Sequence, residues 1–210
     1  MRTFARILLL SDEMVPKYYQ NWKEDAFDGI DLIISVGDLP ARYLEFIATM
    51  FTGDVLYVPG NHDNRYVEHP PLGCIDIDDR IFIWHGLRIL GLGGSMRYKE
   101  GPFQYTQAEM KKRVRKLWWQ LFKNKGFDIL VTHSPAFGIH DGKDLCHTGF
   151  TAFTWLIHKY HPSYFFHGHV HMSYGDYPRH YTIEDTVVVN GFESWVVEVP
   201  LPHPEEEKIL

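Results

Sequence analysis

Cysteine is scarce. The 210 residues hold only Cys74 and Cys146, and no Cys-x-x-Cys pair. That removes zinc-ribbon and dithiol redox chemistry, and a chain of this length needs no disulfide to hold a core. Long apolar runs are missing as well. The run near the N-terminus, Ile7–Leu10, stops at Ser11 and Asp12, too short for a signal-peptide core or a membrane span. Positive charge is not in excess, with 21 Lys and Arg against 27 Asp and Glu and a formal net charge of −6. Such a surface does not draw in nucleic acid or anionic lipid as a whole. Two divalent cations would nonetheless bring −6 to −2 and make one site locally cationic. No repeat, linker or low-complexity stretch divides the chain. The expectation is a single soluble, cytoplasmic domain over 1–210.

What is present alternates. Ile7–Leu10, Leu32–Val36 and Val55–Val58 are short, rich in branched residues and followed by polar or glycine-bearing loops, the pattern of buried strands. Lys17–Phe27 and Arg42–Phe51 between them have the length and apolar spacing of helices. Strand–helix–strand order at this spacing predicts a largely parallel sheet. Further on, Arg80–Trp84 and Leu87–Leu92 flank a His85-Gly86 hairpin turn, and Thr106–Lys125 reads as one long helix with Met110, Val114, Leu117, Leu121 and Phe122 along one side. Strands are expected at Ile129–Thr132, Tyr164–Phe166, Thr186–Asn190 and Trp195–Val199, a helix at Phe150–Tyr160, and a polar tail over Pro202–Lys208.

Residues with chemical potential follow the expected strands in order: Asp12, then Gly37-Asp38, then Gly60-Asn61-His62-Asp63, then His133, then Gly168-His169-Val170-His171. Ligand sites of open α/β sheets lie at that carboxyl edge. Carboxylate oxygen combined with imidazole nitrogen suits borderline divalent ions such as manganese, iron or zinc, and suits calcium poorly. Each piece alone is a turn or a core histidine. Their joint occurrence at successive strand ends points to one site.

The series resembles the calcineurin-like metallophosphoesterases, whose motifs run Asp-x-His, Gly-Asp, Gly-Asn-His-Asp/Glu, His and Gly-His-x-His. They stand here as SDEM (11–14), GD (37–38), GNHD (60–63), TH (132–133) and GHVH (168–171), spanning nearly the whole chain. The resemblance implies an α/β fold, a four-layer αββα sandwich of two mixed β-sheets flanked by helices, with two divalent transition-metal ions, manganese or iron by preference and zinc as an option. Carried over by position, Asp38 would bridge the ions, Asn61, His133 and His169 would complete one site, and Asp12 and His171 would belong to the other. His62 would face the substrate phosphate rather than a metal.

Two departures stand out. The first motif carries Met14 where the family has a histidine ligand, and a neutral thioether is a poor donor for these ions. The first ion is therefore expected to be weakened, with Glu13 or water as possible substitutes and an empty site as the extreme. After Asp38, larger relatives place an aspartate that pairs with the catalytic histidine; here it is Ala41, leaving Asp63 as a candidate partner for His62. Arg42 matches their phosphate-binding arginine.

The segment GIHDGKDLCHTGF, with His140, Asp141 and His147, reads either as a loop with glycine turns or as a border of the substrate site; His147 is taken as a substrate contact. Arg97 and Tyr98 read as a structural loop, and KKRVRK (111–116) as a solvated helix face. The aromatics, Trp118-Trp119 and Tyr164–Phe166 among them, are assigned to the core or a subunit contact, so a homo-oligomer is conceivable, and both cysteines are read as inert. The expectation is a metallophosphoesterase acting on a small phosphodiester or phosphomonoester. The alternative is a catalytically weak scaffold that keeps the fold and one metal. A membrane partner is excluded and nucleic acid is disfavoured.

Overall fold

A computed structural model describes residues 3–172 and 178–202. With strands numbered in chain order, the first sheet has the order β13 (Glu193–Pro200), β1 (Phe4–Ser11), β2 (Leu32–Ser35), β3 (Asp54–Tyr57), β4 (Ile75–Asp76). The second runs β11 (His180–Ile183), β12 (Thr186–Asn190), β10 (Tyr164–His167), β9 (Ile129–Thr132), β6 (Leu87–Leu92), β5 (Arg80–Trp84). Strands β1 to β4 are parallel, as are β12, β10, β9 and β6, while β13, β11 and β5 add antiparallel neighbours. β7 (Ser95–Met96) and β8 (Gln104–Tyr105) form a small separate ribbon.

Both faces of the central strands are covered, which is why their sequences are unbroken apolar runs rather than alternations. Ile7, Leu9, Leu32, Ile34 and Leu56 of the first sheet meet Ile89, Ile129, Val131, Phe166 and Val189 of the second in the core between the sheets. The intervening Leu8, Leu10, Ile33 and Val55 turn outward under α1 (Ala41–Met50). Leu90, Leu130, Phe165 and Val188 turn the other way, under α2 (Gln107–Lys116), α3 (Trp118–Lys123) and α4 (Thr151–Tyr160). The period-two alternation thus builds a four-layer αββα sandwich. Among the described residues no helix is long and apolar enough to cross a membrane.

Four expectations need correction. Lys17–Phe27 is not a helix but two 3-10 turns, Pro16–Tyr18 and Glu24–Phe27, separated by an extended Lys23. A continuous helix would hold Tyr18 and Phe27 about 13 Å apart along its axis. Instead their rings stack with centroids 5.3 Å apart over the sheet, so the chain must double back. The expected long helix over Thr106–Lys125 breaks at Leu117 (φ −79°, ψ −2°). Past the break, Gln120 turns onto the edge strand, its Oε1 accepting the Ile81 N–H at 2.8 Å. Trp118, Trp119 and Phe122 lie exposed rather than in the core. Of the expected tail, residues beyond Pro202 lie outside the described ones.

The fourth correction concerns the basic run. Its lysines are exposed, but Arg113 is buried, with Nη2 2.6 Å from Asp78 and Nε 2.9 Å from Asp79. Asp78 also accepts the Gly93 N–H at 2.6 Å, so the pair ties α2 to the loop after β6. Helical periodicity cannot separate this one cation from its neighbours, because the acids it meets lie far away in sequence. Arg113→Met, which keeps the stem and leaves Asp78 buried without its cation, is expected to destabilise the fold by about 3–5 kcal/mol. A urea unfolding midpoint unchanged from the parent would contradict that pairing.

Candidate metal centre

The two sheets bring the carboxyl ends of β1, β2 and β3 and those of β9 and β10 to one edge of the sandwich. Asp12 and Asp38 follow β1 and β2, Asn61 and His62 follow β3, His133 follows β9, and His169 follows β10. Hydrogen bonds tie these loops together: Asp12 N–H donates to Gly37 O at 3.1 Å and Gly168 N–H to His133 O at 2.9 Å, each within one sheet, while His169 N–H donates across the seam to Asp12 Oδ2 at 3.0 Å. Asp12, Asp38 and His169 adopt left-handed backbone, with φ of 64°, 58° and 66°. Non-glycine residues avoid that region, and its use at three candidate ligands marks where loop geometry has been fixed by something other than local preference.

Two glycines of the motifs are required by close approach. A Cβ on Gly60 would stand 2.1 Å from Asp38 Oδ1, and one on Gly168 would stand 2.0 Å from Ser11 Oγ. No side chain fits either place.

His133 sits at the centre of the donors, fully buried. Its Nδ1–H donates to Val36 O at 2.8 Å, while Nε2 lies 3.0 Å from Asn61 Oδ1 and 3.3 Å from Asp38 Oδ2. Burial opposes its charge, yet Asp38 overcomes this and lifts the imidazole to about 9. Burial likewise opposes ionisation of Asp38, yet the His133 charge holds its carboxyl down to about 2. Burial, reinforced by the same imidazolium, pushes His169 down to about 3. Asp12 is raised, chiefly by burial. A proton on His133 Nε2 therefore stands among oxygens that converge on one point.

This donor set fits a divalent ion. The Asp38, His133 and His169 ligand atoms lie within 4.8 Å of one another, a span that bonds of about 2.0–2.3 Å to a shared ion bridge with little adjustment. Removing the Nε2 proton leaves His133 with the tautomer that Val36 O already selects. His169 Nε2–H donates to Cys146 O at 2.7 Å, which leaves Nδ1 as its donor atom. Asp12 Oδ1 lies 3.8 Å from His171 Nε2, so these two also share one side of the site.

Asp12, Asp38, Asn61, His62, His169 and His171 line a cavity of about 240 Å³, which Tyr98, Cys146 and His147 complete. A larger cavity, about 570 Å³, lies by α2, α3 and α4; Trp118, Trp155, Lys111 and Arg115 are among its lining, which includes no carboxylate or imidazole. The candidate ligands gather at the smaller one.

His147, expected as a substrate contact, lines this cavity, its Nδ1 2.7 Å from Asp144 Oδ2. His140 and Asp141 serve the loop instead: His140 packs on Tyr181 and contacts His167 Nε2 through Nδ1 at 2.9 Å, and Asp141 accepts the Gly138 and Gly149 N–H groups. Arg42 is exposed in the first turn of α1 and is not part of the cavity lining, nor is the exposed Glu13. Met14 packs against the apolar cluster under α1. Asp63 braces the loop: its Oδ2 accepts the Asp38 and Gly60 N–H groups at 2.8 and 2.7 Å. Burial, then the Asp38 charge, push Asp63 up to about 7.

Tyr98, expected in a purely structural loop, instead reaches the site: its hydroxyl accepts the Asn61 Nδ2–H at 3.3 Å and so fixes which way that amide faces. Its position after the Gly93-Gly94 strand end is the available pointer. Cys146, expected to be inert, contributes its carbonyl to His169. Its thiol is pushed up by burial and then by Asp144.

A family model described as calcineurin-like phosphoesterase matches residues 4–173. The chain belongs to that family. Calcineurin-like phosphoesterases use divalent metals and act on phosphorylated substrates. Solved structures with the same fold include TT1561 of Thermus thermophilus, 18% identical with a TM-score of 0.61, covering 95% of this chain and 100% of that one. The 5'-nucleotidase from Candida albicans is 11% identical with a TM-score of 0.54, covering 94% of this chain but 52% of that one. GAP50, the anchor in the inner membrane complex of Plasmodium, is 12% identical with a TM-score of 0.52 over 90% of this chain and 71% of that one. No curated protein matches the sequence significantly.

Proposed function

We propose that this calcineurin-like phosphoesterase hydrolyses a small phosphodiester or phosphomonoester at the cavity edge of the seam, using two divalent ions, manganese or iron by preference. The observation that carries the reading is the convergence of Asp38 Oδ2, Asn61 Oδ1 and His133 Nε2 from both sheets beneath a cavity bearing His62. At about 240 Å³ the cavity is smaller than most drug-sized ligand sites, which favours a small phosphorylated group. Both cysteines are unpaired, in keeping with a reducing, cytoplasmic setting.

Asp38, Asn61, His133 and His169 would hold one ion, and Asp12, Asp38 and His171 the other. When bound, the pair supplies Lewis acidity toward phosphoryl oxygens and makes water nucleophilic near neutral pH. The chain's own groups do the rest. Tyr98 keeps a hydroxyl proton to donate to a phosphoryl oxygen after accepting from Asn61. His147, held by its Nδ1–H bond to Asp144, lines the cavity as a second polar contact for the substrate. His62 has its backbone N–H fixed on Asp38 Oδ1 at 2.7 Å, which seats its imidazole on the cavity where a ring N–H can protonate the leaving oxygen.

Met14 favours a second reading. Since it packs with the core and leaves the first ion Asp12, Asp38 and His171, a one-metal scaffold remains the competitor. Metal per chain after manganese loading and desalting separates them: about two equivalents support the enzyme, and about one equivalent supports the scaffold. Met14→His is expected to tighten the first ion by about 10–100-fold. An unchanged affinity would mean the first site is already complete.

A further inference from the structure

We propose that Asp144, Cys146 and His147 form a separate zinc site on the rim of the substrate cavity, outside the family's ligand series. Their donor atoms cluster tightly: Cys146 Sγ and His147 Nδ1 each lie 2.7 Å from the same oxygen, Asp144 Oδ2, and 3.4 Å from one another. A thiol, an imidazole and a carboxylate crowded onto one point form a donor set that a single cation can share. Tetrahedral zinc with bonds of about 2.0–2.3 Å sets its ligand atoms about 3.3–3.7 Å apart, so the cluster needs to open by less than about 1 Å. The closely spaced run Asp144-Leu145-Cys146-His147 supplies all three donors from one loop segment.

The chemistry selects the metal. Thiolate, imidazole and carboxylate together suit zinc, whereas the oxygen- and nitrogen-only donors of the neighbouring centre accept harder ions. Binding releases the thiol proton to solvent and moves the His147 proton to Nε2, with nothing oxidised or reduced. The zinc, thiolate and carboxylate charges then cancel, which suits a half-buried place. Three protein ligands leave a fourth position open, and Cys146 and His147 both line the cavity. A phosphoryl oxygen of a substrate in that cavity would take the open position; this role rests on the phosphoesterase reading, while the site itself does not.

Cobalt(II) loaded into the full-length protein tests the proposal, because only a thiolate ligand gives sulfur-to-cobalt charge transfer in the near ultraviolet. The other cysteine, Cys74, is directed to Leu44 O in the core beneath α1 and belongs to no ligand cluster among the described residues. The band is expected in the parent, absent in Cys146→Ser, and retained in Asp38→Asn. Cys146→Ser keeps the carbonyl that holds His169, and its zinc affinity at this site should fall at least about tenfold. A parent protein that binds cobalt with ligand-field bands alone would overturn the site and leave the neighbouring centre standing. A band that survives Cys146→Ser would overturn it as well.

Discussion

Asp38→Asn should strip the centre of bound metal and lower turnover by at least about 100-fold while the fold stays intact. The substitution preserves shape, so an amide oxygen can still accept the His62 N–H now held at 2.7 Å. What changes is the second oxygen, 3.3 Å from His133 Nε2, which becomes an N–H group unable to donate electrons to a cation. The negative charge that lifts His133 to about 9 disappears with it, so that imidazole loses its proton more readily, although its donors no longer surround a cation. Elemental analysis after metal loading, read beside far-ultraviolet circular dichroism, checks both halves. A variant that keeps its metal and its rate within a few-fold would remove Asp38 from the centre.

His62→Ala should behave in the opposite way, slowing turnover by about 10²–10⁴-fold with metal content unchanged. Alanine retains the backbone N–H to Asp38, so the ligand loop has no reason to move. The lost imidazole matters in proportion to the basicity of the departing oxygen. Esters with a good leaving group, such as nitrophenolate, should suffer far less than alkyl esters. Equal losses on both would mean that His62 binds phosphate rather than delivering a proton, and loss of metal would place it among the ligands.

The sequence by itself determined the donor types of the candidate centre and the order in which they arrive. Gly-Asn-His-Asp and Gly-His-x-His need particular residue types, and Gly60 and Gly168 stand where a single added carbon would meet Asp38 or Ser11. The unbroken apolar strands likewise announced layers covered on both faces, because neither face of such a strand can be left in water. Local pattern could not say where the chain doubles back. The helix expected over Lys17–Phe27 has the right apolar spacing, but stacking Tyr18 on Phe27 covers the sheet in a way a straight helix cannot.

Only the tertiary structure decided which residues complete the site. Arg42 carried the motif and stays outside the cavity, whereas Tyr98 and Cys146 enter it through contacts that span 37 and 23 positions of chain. Arg113 was one cation in a basic run until Asp78 and Asp79 met it 35 and 34 positions away. The physical reason is shared by all three. A motif records what a strand end must carry, while the partners that fix an amide, an imidazole or a buried guanidinium come from loops distant in sequence that only folding brings together.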